Sequence, residues 1–252
     1  MFRLPANRWT AVPRQILGWS FSSFYIPGMV LTCATLSNER RAKLGPRLVR
    51  GWGLVMAGLA GVGVRFTERA ERVLGERKPR VLTFNHSSTL DLLTGAALLP
   101  EGGVLVVKSE IKDMPLLGVA CTAVGSVFLE RGDRERAYAA LQKVGQRIRD
   151  ERLQVLIAPE GTRSKDGSLG RFKLGAFRLA QLAEVEIVPV VLHNHATLWP
   201  RGQLAPNGGV AVIDVLDPVI VPPEADLATA AEALRERYLE ALNAGSPFEG
   251  EA

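Results

Sequence analysis

Asn85, His86 and Asp91 stand in the run Val81-Leu-Thr-Phe-Asn-His-Ser-Ser-Thr-Leu-Asp91, with the histidine just past a β-branched stretch. An imidazole serves as a general base near neutral pH, and a carboxylate on its second nitrogen fixes the tautomer. On an ideal helix, positions five apart are rotated about 140° from each other, so His86 and Asp91 would not share a helical face. They converge if His86 lies in a turn and Ser87 or Ser88 caps a helix carrying Asp91. That pair is the base-and-orienter half of a serine hydrolase triad without a protein nucleophile, so the attacking hydroxyl would come from a substrate. On spacing alone, helix capping by Asn85, His86 and Asp91 is the simpler reading.

A second polar cluster, Glu160-Gly-Thr-Arg-Ser164, follows a strand-like run and Pro159. Gly161 permits a tight turn, and Arg163 offers a planar fork suited to phosphate. Arg171, Phe172, Lys173 and Gly175 come next, and N–H groups at a helix starting near Gly175 would also face an anion. Lys108 and Arg131 end two further strand candidates. Taken singly, each is an ordinary solvated charge. If the strand ends share one edge of a sheet, Lys108, Arg131 and Arg163 surround the base. His193 and His195 form an H-x-H pair with no further ligand at a recognisable spacing, which favours structural roles. Cys33 and Cys121 belong to no C-x-x-C pair and read as small buried hydrophobes. The G-x-S-x-G elbow, the P-loop and the dinucleotide glycine pattern are absent.

These clusters sit on an alternating framework. Strand candidates are Val81–Phe84, Val104–Val107, Ser126–Leu129, Val155–Ala158, Ile187–Leu192 and Val210–Val215. Helical patterns cover Leu90–Leu99, Pro115–Val124, Arg134–Glu151, Ala176–Ala183 and Ala225–Asn243, the last with Glu232, Arg235, Glu236 and Arg237 on a solvated face. Such a βα rhythm predicts an α/β domain with a largely parallel sheet and a site beyond the carboxyl ends of its strands.

The front of the chain is different. Residues 1–80 hold 14 Lys and Arg against 4 Glu, while the rest hold 17 against 22 acidic residues. Between Arg14 and Glu39 lie 24 uncharged residues, including Trp19, Phe21, Phe24 and Tyr25. About 20 apolar residues suffice for a span, but Pro27 and Gly28 are expected to break this one. Basic residues flank it on both sides, the continuation into Arg40, Arg41, Lys43, Arg47 and Arg50 favours retention over a cleaved signal peptide, and no good lipoprotein box surrounds Cys33. A second uncharged stretch, Gly51–Val64, fits a re-entrant or interfacial helix, with Gly53, Ala57 and Gly61 suited to close helix packing. The preferred reading is a helical pair dipping into one leaflet, against the alternative of a buried soluble hairpin. Residues 1–64 are accordingly taken as a membrane-associating segment and 65–252 as the α/β domain. Cations that flank uncharged runs favour an anionic lipid layer as partner over nucleic acid, whose readers interleave cations with stacking aromatics.

Together these residues resemble the glycerolipid acyltransferase family, whose best-known members are the lysophosphatidic acid acyltransferases. The family's N-H-x-x-x-x-D block is similar to Asn85–Asp91. Its second resembles Lys108-Ser-Glu-Ile, then Pro115 and Gly118, ending at Phe128-Leu-Glu-Arg131. Its third resembles Ala158–Ser164, with Ala158 where an aromatic is common, followed by Phe172-Lys173-x-Gly175. Its fourth resembles Ile187-Val-Pro-Val190. The resemblance implies a mostly parallel sheet flanked by helices with an N-terminal membrane-associated helical pair. It also implies a mechanism. His86, oriented by Asp91, deprotonates the acceptor hydroxyl, which attacks the thioester of acyl-CoA or acyl carrier protein. Arg131 and Arg163, with help from Lys108, hold the acceptor's phosphate, and Glu160, Gly161 and Thr162 complete the acceptor pocket. Neither cofactor nor metal is implied, and the setting is the bilayer, on the cytoplasmic face of the inner or cell membrane. Lysophosphatidate is the first-choice acceptor. Another lysophospholipid, a lyso-aminolipid or glycerol 3-phosphate are the alternatives, and a non-catalytic lipid-binding protein on the same scaffold is the reading from a different class.

Overall fold

The catalytic candidates all leave strands of one sheet. A computed structural model of the chain describes residues 8–129 and 134–248. Its strands are β1 (Val62–Phe66), β2 (Arg80–Phe84), β3 (Gly103–Lys108), β4 (Val127–Leu129), β5 (Gln154–Ile157), β6 (Ile187–His193) and β7 (Gly209–Val215). They lie in the order β1-β7-β6-β2-β5-β3-β4. Every neighbouring pair is parallel except β6–β7. The largely parallel sheet read from the sequence is therefore present, and β1 with β7 forms a reversed flap on one side of it. Strands β2, β5 and β6 are buried at every position. Their continuous apolar runs suit strands covered on both faces.

The helices are α1 (Arg8–Thr35), α2 (Asn38–Leu59), α3 (Glu68–Gly75), α4 (Asp91–Ala97), α5 (Leu117–Ala123), α6 (Arg134–Glu151), α7 (Gly175–Ala183), α8 (His195–Leu198) and α9 (Leu227–Asn243). One face of the sheet packs on α1, α2 and α4 through Met29, Trp52, Met56, Leu93 and Ala96. The other packs on α6, α7 and α9 through Val144, Ile148, Phe177, Leu179, Leu234 and Tyr238. Tyr238 reaches through to the sheet centre, where its hydroxyl bonds Thr83 Oγ1 at 3.0 Å and accepts from Val190 N at 3.1 Å.

The front end departs from expectation in two ways. First, α1 runs unbroken through Pro27 and Gly28. A mid-helix proline costs about 3 kcal/mol, but tertiary contacts outweigh it here. Ile26, Met29 and Cys33 are buried against the rest of the molecule, and Tyr25 donates its hydroxyl to Leu48 O at 2.9 Å. Trp52 Nε1 donates to Ser22 Oγ at 3.0 Å, joining α2 to α1. Second, Gly51–Val64 is not one helix. Helix α2 stops at Leu59, Gly61 turns the chain with φ +81°, and β1 begins at Val62. Gly53 does make the expected close approach. A Cβ there would run into Leu93 O and stand 2.8 Å from Ala96 Cβ, so α2 lies backbone to backbone on α4. Helix α1 is long and apolar enough to cross a membrane by length and composition.

Candidate active site

Strands β2, β3, β5 and β6 run parallel, so the loops after them meet at one edge of the sheet. His86 follows β2, Lys108 ends β3, Glu160–Arg163 follow β5, and His195 follows β6. The loop after β2 is tied down before it reaches His86. The Asn85 side chain donates to Leu192 O at 3.0 Å and accepts from Leu192 N at 2.8 Å, so it pins β2 to β6 as a β-ladder residue would.

His86 and Asp91 do converge. His86 Nδ1 lies 2.8 Å from Asp91 Oδ2, and the same oxygen accepts from Ser88 N at 2.8 Å. The Asp91 side chain is fully buried while that of His86 is 27% exposed. A carboxylate on Nδ1 makes that nitrogen the donor and leaves Nε2 as the free base. Ser88 Oγ accepts from Leu90 N at 3.0 Å and donates to Trp199 O at 2.7 Å. Its hydroxyl proton is thus committed and its oxygen turned inward, but it does not cap the helix as expected: α4 starts behind Leu90 with no side-chain cap, and Ser88 Oγ accepts from the N–H of Leu90 itself.

Around this pair the cations lie as follows. Arg163 is exposed and donates from Nη1 to Thr89 Oγ1 at 2.9 Å, which places its guanidinium against the loop that carries His86. Lys108 is half-buried at the end of β3, on the same edge. Gly161 takes φ +67°, and the Lys173 side chain lies against it, within 3.1 Å of where a Cβ would stand. Thr162 is exposed beside it. Arg131 lies outside the described residues. Glu160 is buried, and burial pushes its carboxyl up while hydrogen bonds from the His86 and Gly170 N–H groups pull it down.

His195 is fully buried, with Nδ1 2.8 Å from His193 O and Nε2 3.0 Å from Thr94 Oγ1. Burial lowers its pKa and so favours the neutral ring, with Nδ1 donating to His193 O, while Thr94 Oγ1 is shared between Nε2 and Leu90 O at 3.1 Å. It props α4 one turn beyond Asp91. A cavity of about 210 Å³ is lined by Asn85, Ser87, Glu160, Ser168, Asn194 and His195. Neither His86 nor Arg163 borders it; both are open to solvent instead.

The family model described as Acyltransferase matches residues 62–193, just over half of the chain. The chain belongs to the acyltransferase family. Among its relatives, human 1-acyl-sn-glycerol-3-phosphate acyltransferase beta is 35% identical over 157 residues, covering 62% of this chain and 56% of that protein. The 1-acyl-sn-glycerol-3-phosphate acyltransferase of Saccharomyces cerevisiae is 32% identical over 179 residues, covering 68% of this chain and 59% of the yeast protein. The chain thus matches a little over half the length of these relatives. The crystal structure of the 1-acyl-sn-glycerophosphate acyltransferase PlsC from Thermotoga maritima superposes with a TM-score of 0.74 at 21% identity, over 93% of this chain and 96% of that one. At that identity the likeness shows the fold alone.

Sequence reasoning named most residues of this candidate site but missed the contacts that join them. The Asn85–Leu192 pair, the Arg163–Thr89 bond and the Glu160–His86 bond join residues 74 to 107 positions apart. No local periodicity signals them. Lys173 had a usable signal, since it follows the Glu160 cluster within one loop, but its approach to Gly161 depends on that glycine's left-handed turn.

Proposed function

We propose that the protein transfers a fatty acyl chain from a thioester donor, acyl-CoA or acyl carrier protein, to the free hydroxyl of lysophosphatidate, giving phosphatidate. The observation that carries this reading is the 2.8 Å contact between His86 Nδ1 and buried Asp91, with the other ring edge open beside Arg163. Nε2 takes the proton of the acceptor hydroxyl as its oxygen attacks the thioester carbonyl. The C–O bond forms, the C–S bond breaks, and His86 returns the proton to the departing sulfur. Asp91 steadies the imidazolium between those two events. Arg163 and Lys108 hold the acceptor's phosphate, Arg163 through paired charge-assisted hydrogen bonds and Lys108 as a point charge. Gly161 and Thr162 shape the turn on which Arg163 stands.

Direct transfer within a ternary complex fits the available nucleophiles. Ser88 is buried and its hydroxyl is committed to Trp199 O. Cys121 is buried and its thiol is pushed up, which keeps it protonated and unreactive. The protein meets its acceptor at a membrane surface. Trp9, Ile16, Leu17, Trp19, Phe24 and Leu31 stand exposed along α1, an apolar stripe suited to acyl chains. The donors are water-soluble thioesters, so the catalytic edge faces the cytoplasm.

Mixing the protein with acyl-CoA and lysophosphatidate should release free thiol, and a folded His86→Ala variant should lose about 10²–10⁴-fold of that rate. Undiminished turnover in that variant would sink the reading. Radiolabelled acyl-CoA without acceptor should leave the denatured chain unlabelled, whereas stoichiometric label lost in Ser87→Ala would establish an acyl-enzyme instead.

A further inference from the structure

The Glu160 carboxylate is 4% exposed, and main-chain donors occupy both of its oxygens. Oε1 accepts from the N–H of His86 at 2.6 Å, and Oε2 accepts from the N–H of Gly170 at 2.8 Å. Four residues along the same loop, Ser164 N donates to the carbonyl of His86 at 2.9 Å. One short segment therefore grips His86 by both of its backbone groups. Neither bond reaches the ring. Both fix the direction in which the side chain leaves the backbone, and so where the nitrogen remote from Asp91 points. The approach needs a glycine at 170, because a Cβ there would stand 2.8 Å from Glu160 Oε2.

Building on the acyl-transfer reading above, we propose that Glu160 is a positioning residue for the base, holding the His86 peptide and the Gly170 loop in one geometry without touching the acceptor. The chemistry of the bridge explains the residue type. Two N–H donors need two acceptors on one side chain, and only a carboxylate supplies them at this reach. Glutamine at 160 would set its amide N–H against one of the two backbone N–H groups. Aspartate, one methylene shorter, would reach one donor and leave the other buried and unsatisfied. The same clamp links the two halves of the site. Arg163 sits between Glu160 and Ser164, so the loop that presents the phosphate-binding fork also sets the base. A site of this kind keeps base and phosphate in register through main-chain bonds, which move less than side chains do.

The test combines amide NMR with steady-state kinetics on the full-length protein in detergent micelles. In the wild type, the short bond to a carboxylate should place the His86 amide proton downfield of the other loop amides. In Glu160→Gln and Glu160→Asp it should move upfield. Turnover of lysophosphatidate at saturation should fall about 10–100-fold, the order of loss caused by misplacing a catalytic group by up to an ångström. The KM values for acceptor and donor should stay within about twofold, since no substrate contact is removed. A His86 amide that resonates among its neighbours in the wild type would overturn the clamp. A raised acceptor KM with unchanged kcat would overturn it in favour of direct contact. Retained kcat in both variants, with the amide moved, would show that the clamp does not serve catalysis. If the wild type itself failed to acylate lysophosphatidate, the acyl-transfer reading would fall, while the amide comparison would still decide whether Glu160 holds His86.

Discussion

Replacing Asp91 with asparagine isolates the charge of the pair from its geometry. Asp91 Oδ2 accepts from both His86 Nδ1 and Ser88 N, while Oδ1 is buried with no hydrogen-bond partner among the described residues. An asparagine can set its carbonyl oxygen where Oδ2 lies, keep both bonds and the ring tautomer, and lodge its NH₂ in the place of Oδ1. What disappears is the negative charge beside an imidazolium. At a separation of about 4 Å and an effective dielectric of about 20, that attraction amounts to about 4 kcal/mol. With the proton roughly half transferred in the transition state, about 2 kcal/mol is lost. Those bounds correspond to a fall in kcat of about 30-fold to 10³-fold. The NH₂ left without an acceptor should lower stability by about 1–3 kcal/mol, so a modest drop in Tm accompanies the loss. The assay is thiol release at saturating donor and acceptor, with circular dichroism confirming the fold. A kcat within about threefold of wild type would refute the charge-stabilising role of Asp91. A loss well beyond 10³-fold in a folded variant would mean that the amide has flipped and inverted the tautomer, and a structure of the variant would show it.

Arg163→Ala should raise the KM for lysophosphatidate by roughly 10-fold to 10²-fold, the worth of a charge-assisted hydrogen bond, and change the donor KM little; equal effects on both would remove Arg163 from the acceptor site. Gly53→Ala should cost about 1–3 kcal/mol through overpacking of α2 on α4 and slow turnover as well, because α4 begins at Asp91; an unchanged melting temperature would show that the helices slide apart freely. A chain starting at Ser37 removes α1 while keeping the α2–α4 seam and β1, and should leave the membrane fraction; continued sedimentation with vesicles would locate the membrane contact elsewhere. His195 is neutral in the fold because burial lowers its pKa below the ordinary 6.5, so the unfolded chain binds the extra proton. Stability should therefore be fully present above about pH 6.5 and decline as the pH falls below it. In His195→Gln that decline should be shallower, and identical slopes would show that other groups carry it.

The interior of the sheet was readable because buried parallel strands are short apolar runs between turn signals. Strands β2, β3, β6 and β7 each contain the run read from sequence, β5 ends at Ile157, one residue short of the run read to Ala158, and α6 spans Arg134–Glu151 as expected. The edge strand β1 was not readable. Its Val62-Gly-Val-Arg-Phe66 sequence alternates in exposure, and its apolar start merged with the end of α2. The unbroken α1 was missed for a different reason, since proline's local cost is visible in sequence and the contacts of Ile26, Met29 and Cys33 that outweigh it are not. At the site, the five-residue spacing of His86 and Asp91 carried the pair, because one short loop makes both ends meet. The Glu160 contacts needed the third dimension. A glutamate in a polar loop looks solvated until the fold closes over it.

The pairing of β1 with β7 also has a consequence for biosynthesis. Val62 pairs with Gly209, so the first strand waits for a partner 147 residues downstream. At a synthesis rate of about 5–20 residues per second, that wait lasts roughly 7–30 s on the ribosome. For most of it, α1 and α2 have left the ribosome with their apolar faces uncovered, while β1 has no partner strand. A nearby bilayer would be the first apolar surface they meet, which makes membrane capture an early event and closure of the sheet a late one.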